Sequence, residues 1–391
     1  MRGHPALLKF TLLLVIVMLI ALQTAKNAQS NTHNQQLLDW QIETIDIKGG
    51  DVSTIALDSK QLPHIVYQSL GSSNHSLTYA TIENEQWQYQ TIDNQGETGW
   101  VVDSLVLDDN DNPHLAYGGA KYAVIQYAEF ENNQWYREVV SLDDGLLAVS
   151  GASHTLDSSN NPHIIYCLQV FQDGSISVQY TRKVSEEWVV ETISADDCWY
   201  DTAIELDSND NPHVLYYEET TEDLKYGYFD GVAWHFDTIA SNGRVGRPNE
   251  LVLDQNDNPH VVYFSDTVGK FYYAYLKSGS WISEEIASGA GALHRFSLDI
   301  ALDAFDRPYI GYVDPSLGSV FVAYKVGNSW QSEEVDTADN LGDMTVSAFS
   351  ELHIVYAGIY DGNSTPQKYA VSTLPQPIFA YTLFLPMVIN D

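Results

Sequence analysis

The chain is poor in positive charge. Lys and Arg together number 18 against 53 Asp and Glu, which leaves a formal net charge of −35. Nucleic acid and anionic membrane surfaces are bound by neutralising phosphates with basic groups, so both are excluded as partners. An acidic surface of this kind resists self-association, and a monomer is expected. Cysteine is scarce too: Cys167 and Cys198 are the whole complement. Two are too few for a disulfide framework in a chain of 391 residues, and no Cys/His spacing suits zinc. The apolar run at 10–22 falls short of the roughly 20 residues that a membrane span needs. Helical periodicity is missing as well. Apolar and aromatic residues are plentiful, with 44% hydrophobic content, 25 Tyr and 9 Trp, so the acidity belongs to a chain with a packed core and not to a disordered one.

What the chain does have is repetition. At 207–217 an Asp-Ser-Asn-Asp-Asn turn leads through Pro212 and His213 into Val214-Leu215-Tyr216-Tyr217. Asn and Asp close turns with their own side chains, and Pro is tolerated at the first residue of a strand. The phrase returns at 108–117, 157–166 and 254–263, more loosely at 58–67 and 303–312, and in shortened form at 352–356. The residue after each turn is His64, His114, His163, His213, His260, Tyr309 and His353, at spacings of 50, 49, 50, 47, 49 and 44. In step with it run Trp87, Trp135, Trp188, Trp234, Trp281 and Trp330. Each unit contains four strand-like runs, in the second unit 104–107, 114–117, 125–130 and 135–140. Four short strands per repeat of about 48 residues predict an all-β chain, a β-propeller of four-stranded blades. The seventh unit lacks its Trp strand, and a lone one stands at the other end, at 40–46. Pairing the two ends would complete a seven-bladed ring, closed by an N-terminal strand in the last blade, and remove exposed sheet edges.

On these repeats the chain resembles the secreted bacterial β-propellers built from Leu-Asp-x-x-x-Asn-Pro-His units, over about residues 38–372. The resemblance is specific for architecture, and propellers host lectins, hydrolases, lyases and scaffolds alike. Sialidase-like propellers place an Asp-box before the fourth strand. The stretch Phe229-Asp230-Gly231-Val232-Ala233-Trp234 occupies that hairpin, but its Asp adjoins the Gly, so the likeness is positional. Arg2 and Lys9, the run 10–22 and the small residues around Ala25 and Ala28 follow the order of a secretory signal peptide, expected at 1–28. The expected location is therefore extracellular or on the cell surface, with no membrane span in the mature chain. An apolar tail occupies 373–391.

Seven copies of one His spread around a ring cannot converge on one metal or substrate. Its expected role is structural, tying a strand to the turn carboxylate. The Asp/Asn turns offer clustered oxygens that resemble calcium loops, yet turn chemistry alone accounts for them, and no cofactor is expected. No catalytic motif stands out. Function is then expected where the repeat breaks, in the connections leading into each inner strand. These carry the expected ligand-binding rim: Trp100, Asp103, His154, Trp199, Tyr200, Asp201, Arg247, His294 and Arg295. Trp100 and Trp199 occupy equivalent places in two blades and lie outside the blade marker, which suits stacking on sugar rings. Cys167 and Cys198 are expected to emerge on one face and to pair as a disulfide in an oxidising compartment. The expectation is a non-catalytic binder of carbohydrate or another surface polymer. A glycan-active hydrolase or lyase, and an adhesive scaffold, are the alternatives.

Overall fold

The computed structural model describes residues 38–374, apart from 71–74, 95–97, 120–123, 141–146, 171, 289–297 and 361–363. The segments expected as signal peptide and most of the apolar tail lie outside the described residues. One compact unit spans Trp40–Gln376. Among the described residues every regular element is a strand, and no helix is long and apolar enough to cross a membrane.

The strands form six antiparallel sheets. Five are four-stranded meanders and the sixth has seven strands. The seven-stranded sheet exists because one long strand, Gln41–Leu57, serves two partners. Its first part pairs with Thr365–Thr373, Gln41 opposite Val371 and Thr44 opposite Lys368. Its second part pairs with Pro63–Leu70, Thr54 opposite Val66. The first strand of each sheet lies against the first strands of its neighbours, and the cores are clusters between successive sheets, an arrangement consistent with a β-propeller.

The repeated residues are the fasteners between these layers. In each turn the leading Asp folds the backbone over itself. Asp207 accepts from the amides of Asn209 and Asn211, both at 2.8 Å. This places Asp210 in the left-handed region, at φ 60°, which Asp and Asn tolerate better than most residues. Its carboxylate then reaches the preceding sheet, where Ser158 donates from N at 2.9 Å and from Oγ at 2.6 Å. Asp257 holds Ser208, and Asp111 holds Ser59, in the same way. The turn acids are thus engaged as clips between sheets, and among the described residues no group of three or more His, Cys, Asp or Glu could hold a metal ion.

The repeated His has a different partner from the one expected. Its hydrogen bond goes to a Tyr on the third strand: Nδ1 of His64, His163, His213, His260 and His353 lies 2.5–2.6 Å from the hydroxyls of Tyr79, Tyr180, Tyr226, Tyr273 and Tyr369. His114 bonds Tyr127 likewise. The turn carboxylate stands farther off, 3.6–4.0 Å from Nε2. Burial lowers the pKa of these imidazoles, whose Nε2 faces the acid and whose Nδ1 meets the Tyr hydroxyl. The same Tyr rings meet the marker Trp of the next sheet edge-on, at 5.1–5.8 Å. Those Trp lie half-buried on the outer strand and pack against the core clusters. One disulfide joins two adjacent sheets, Cys167 to Cys198, with Cα atoms 5.7 Å apart.

Candidate functional site

The segments read as connections turn out to be strand. Thr98–Leu107, Cys198–Leu206 and Val245–Leu253 begin several residues earlier than their alternation implies. In each, pairing breaks register at an equivalent place: between Thr98 and Val102, Cys198 and Thr202, and Val245 and Asn249. A bulge interrupts the period-two pattern by which a strand is recognised, and it re-aims the side chains beside it. Past these bulges, the first strands of successive sheets line a cavity of about 650 Å³ that runs from Asp201, Thr202 and Asn249 to Gln255, Asp306 and Ala348 at the turns that follow.

Three residues before the last Leu or Val of each first strand stand Thr54, Ser104, Ser153, Ala203, Glu250, Asp299 and Asp343. The structure shows what that position does. The first strand has a free edge toward the cavity, and its amides need acceptors. The amide of Leu105 donates to Thr54 Oγ1 at 2.9 Å, and that of His154 donates to Ser104 Oγ at 2.9 Å. The amide of Met344 donates to Asp299 Oδ2 at 2.5 Å, and that of Ile55 to Asp343 Oδ2 at 2.9 Å. Each side chain thereby stitches one inner strand to the next. The Asp343 stitch, reinforced by Thr54 Oγ1 at 2.6 Å, spans 289 residues of sequence.

Asp299 and Asp343 also hydrogen-bond each other. Burial raises both carboxyls, and the neighbouring acid raises Asp299 further, whereas donated hydrogen bonds hold Asp343 back. Enclosure alone pushes the Glu205 carboxyl up to about 7. Around the same cavity several buried polar atoms have no hydrogen-bond partner: Asn249 Oδ1, Thr202 Oγ1 and His154 Nε2. Asn249 donates its Nδ2 to the Gly246 carbonyl at 2.7 Å, which turns the amide oxygen out as a lone acceptor. A buried polar atom without a partner costs about 1–3 kcal/mol, so such atoms mark places where a ligand gains most.

The expected rim residues divide into three groups. Asp201 and Arg247 come together, Arg247 Nε lying 3.6 Å from Asp201 Oδ2 while its Nη1 meets Glu219 at 3.4 Å and its plane covers the Tyr217 ring. His154 is not on the rim: it lies inside the strand Leu147–Leu156, 1% exposed, with Nδ1 2.7 Å from Ser104 Oγ. Burial lowers its pKa to about 3, so it stays neutral as a seam residue. Trp100 and Asp103 belong to Thr98–Leu107, and Trp199 and Tyr200 to Cys198–Leu206; their side chains lie outside the described residues, as do His294 and Arg295 altogether. The residues missed were the cavity acids Glu205, Glu250, Asp299 and Asp343.

No protein family profile and no curated protein matches the chain. Solved structures do. Virginiamycin B lyase from Staphylococcus aureus is similar over 86% of this chain and 100% of its own, at 9% identity and a TM-score of 0.56. An ulvan lyase with a bound saccharide is similar over 83% and 93%, at 12% identity and a TM-score of 0.52. AofleA from Arthrobotrys oligospora is similar over 76% and 90%, at 10% identity and a TM-score of 0.52. These are β-propeller proteins, and at such identities the likeness is one of fold.

Proposed function

We propose that the chain is a secreted, seven-bladed β-propeller that binds a carbohydrate of a surface polymer without transforming it. Seven blades follow when the seven-stranded sheet is counted as two that share Gln41–Leu57, with the first part of that strand closing the last blade. The observation that carries the binding role is the cavity itself. Its volume of about 650 Å³ falls in the range of small-molecule sites, roughly 300–1,000 Å³. It also presents buried acceptors with no partner in the protein. Hydroxyl groups are the ligand chemistry that such acceptors favour.

The enzyme reading has one observation of its own, the Asp299–Asp343 pair. Glycosidase carboxyls stand about 5–9.5 Å apart with a sugar or water between them. Here the two acids share the amide of Met344, at 2.5 and 2.6 Å, and Asp343 is also fastened to the amide of Ile55, which favours a stitch over a catalytic pair. The test is a glycan array with the full secreted chain, followed by a turnover assay on each hit. Binding without product is expected. Asn249→Leu should weaken that binding at least ~10-fold, since a lone buried acceptor is lost, while the melting temperature stays within a few degrees. Product release from any bound glycan would replace the binding reading with the enzymatic one.

A further inference from the structure

The cavity is rich in acceptors and poor in donors. Glu205, Glu250, Asp299 and Asp343 line it, and no Lys or Arg is among the described residues that do. Two of its side-chain donors are already engaged. Ser104 donates to the His154 carbonyl at 2.9 Å, and Asn249 Nδ2 to Gly246. Arg247, beside the lining residue Asp201, is engaged by it and by Glu219. Independently of the acids, Asn249 Oδ1 and Thr202 Oγ1 are without partner, on side chains 5% and 4% exposed.

A neutral pyranose brings hydroxyls that both donate and accept, so it needs donors in return. A uronate or sulfated sugar brings acceptors and negative charge, which a cavity lined by acids and by no Lys or Arg among the described residues offers nothing to neutralise. A primary ammonium brings three donors, no acceptor and a positive charge. Resting on the carbohydrate reading above, we infer that the saccharide entering the cavity carries a free amine. The ligand class is a de-N-acetylated amino sugar, its ammonium facing the acids that line the cavity, Glu205 and Glu250 among them.

Calorimetric titration of the full chain tests this with four probes: a glucosamine tetramer, its N-acetylated counterpart, a galacturonate tetramer and 1,6-diaminohexane. The glucosamine tetramer should bind at least ~10-fold tighter than either other saccharide. A Glu205→Gln/Glu250→Gln variant should lose that preference while binding the N-acetylated tetramer at least as well as the parent does, which a misfolded protein could not do. Equal or better binding of the N-acetylated or galacturonate tetramer by the parent chain overturns the amine inference and leaves the carbohydrate reading standing. Binding of the diamine with no saccharide bound overturns the carbohydrate reading and with it the amino sugar, leaving an ammonium site. No binding by any probe overturns both.

Discussion

Glu205 is the side chain whose ionisation should be easiest to read in solution. Its carboxyl is pushed up to about 7 in the folded chain, against 4.5 ordinarily, with burial as the cause. Between those values the folded state holds a proton that the unfolded state has released. Stability is therefore lost as pH rises from about 4.5 to 7, and it changes no further above that. Glu205→Gln removes the penalty. The variant should match the parent near pH 4 and exceed it by about 1–3 kcal/mol at pH 8, less than the full linkage because the side chain keeps part of its surface. Urea unfolding at both pH values checks it; a constant difference would assign Glu205 no titrating role. Little of this was legible in the sequence. With 53 acids in the chain, no spacing singles out one carboxyl. Yet a signal was present: the place three residues before the closing Leu or Val is small or polar in every unit, and becomes Glu250, Asp299 and Asp343 in the last three. The Tyr partners of the repeated His were legible too, since Tyr79, Tyr127, Tyr180, Tyr226, Tyr273 and Tyr369 recur in step with it.

At the scale of elements, the Asp turns carry more than their own shape. A turn needs the leading Asp, which folds the backbone locally, but it does not need the fourth residue to be acidic. That residue's work lies in the neighbouring sheet. Ser208→Ala and Asp257→Ala should each cost about 0.5–1.5 kcal/mol, and the double variant should cost less than their sum, with a coupling of at least 0.5 kcal/mol. A double-mutant cycle by thermal or urea unfolding measures it, and strict additivity would mean that the clip contributes nothing. The turns, the second strands and the third strands were legible because their chemistry or alternation is local. The first strands were not. Their bulges break the two-residue period, and polar residues such as Asp201, Thr202 and Asn249 inside them imitate a loop. The rim was consequently placed in connections, whereas Asp201 and Arg247 stand on strands.

Across the whole molecule, the strand Gln41–Leu57 joins the first part of the chain to the last. Deleting residues through Asp46 leaves Thr365–Thr373 with an unpaired edge and removes Ile45 from the core beside Val355 and Tyr369. Aggregation or a loss of several kcal/mol is expected, seen as a fall in the soluble fraction and in melting temperature. A truncated chain that unfolds cooperatively at the parent's temperature would show that the pairing is dispensable. That these two strands pair was legible: a Trp strand missing at one end and a surplus one at the other can be counted in the sequence.

That pairing also sets a clock. Thr44 and Lys368 lie on the order of 320 residues apart, and at about 5–20 residues per second a ribosome takes roughly 15–65 s to make the stretch between them. Until then the early strand has no second partner, and the amide of Ile55 has no Asp343 to receive it. The sheets between can form as they emerge, but the last step must await the final strands. The part of the chain made first is therefore the part that cannot settle early.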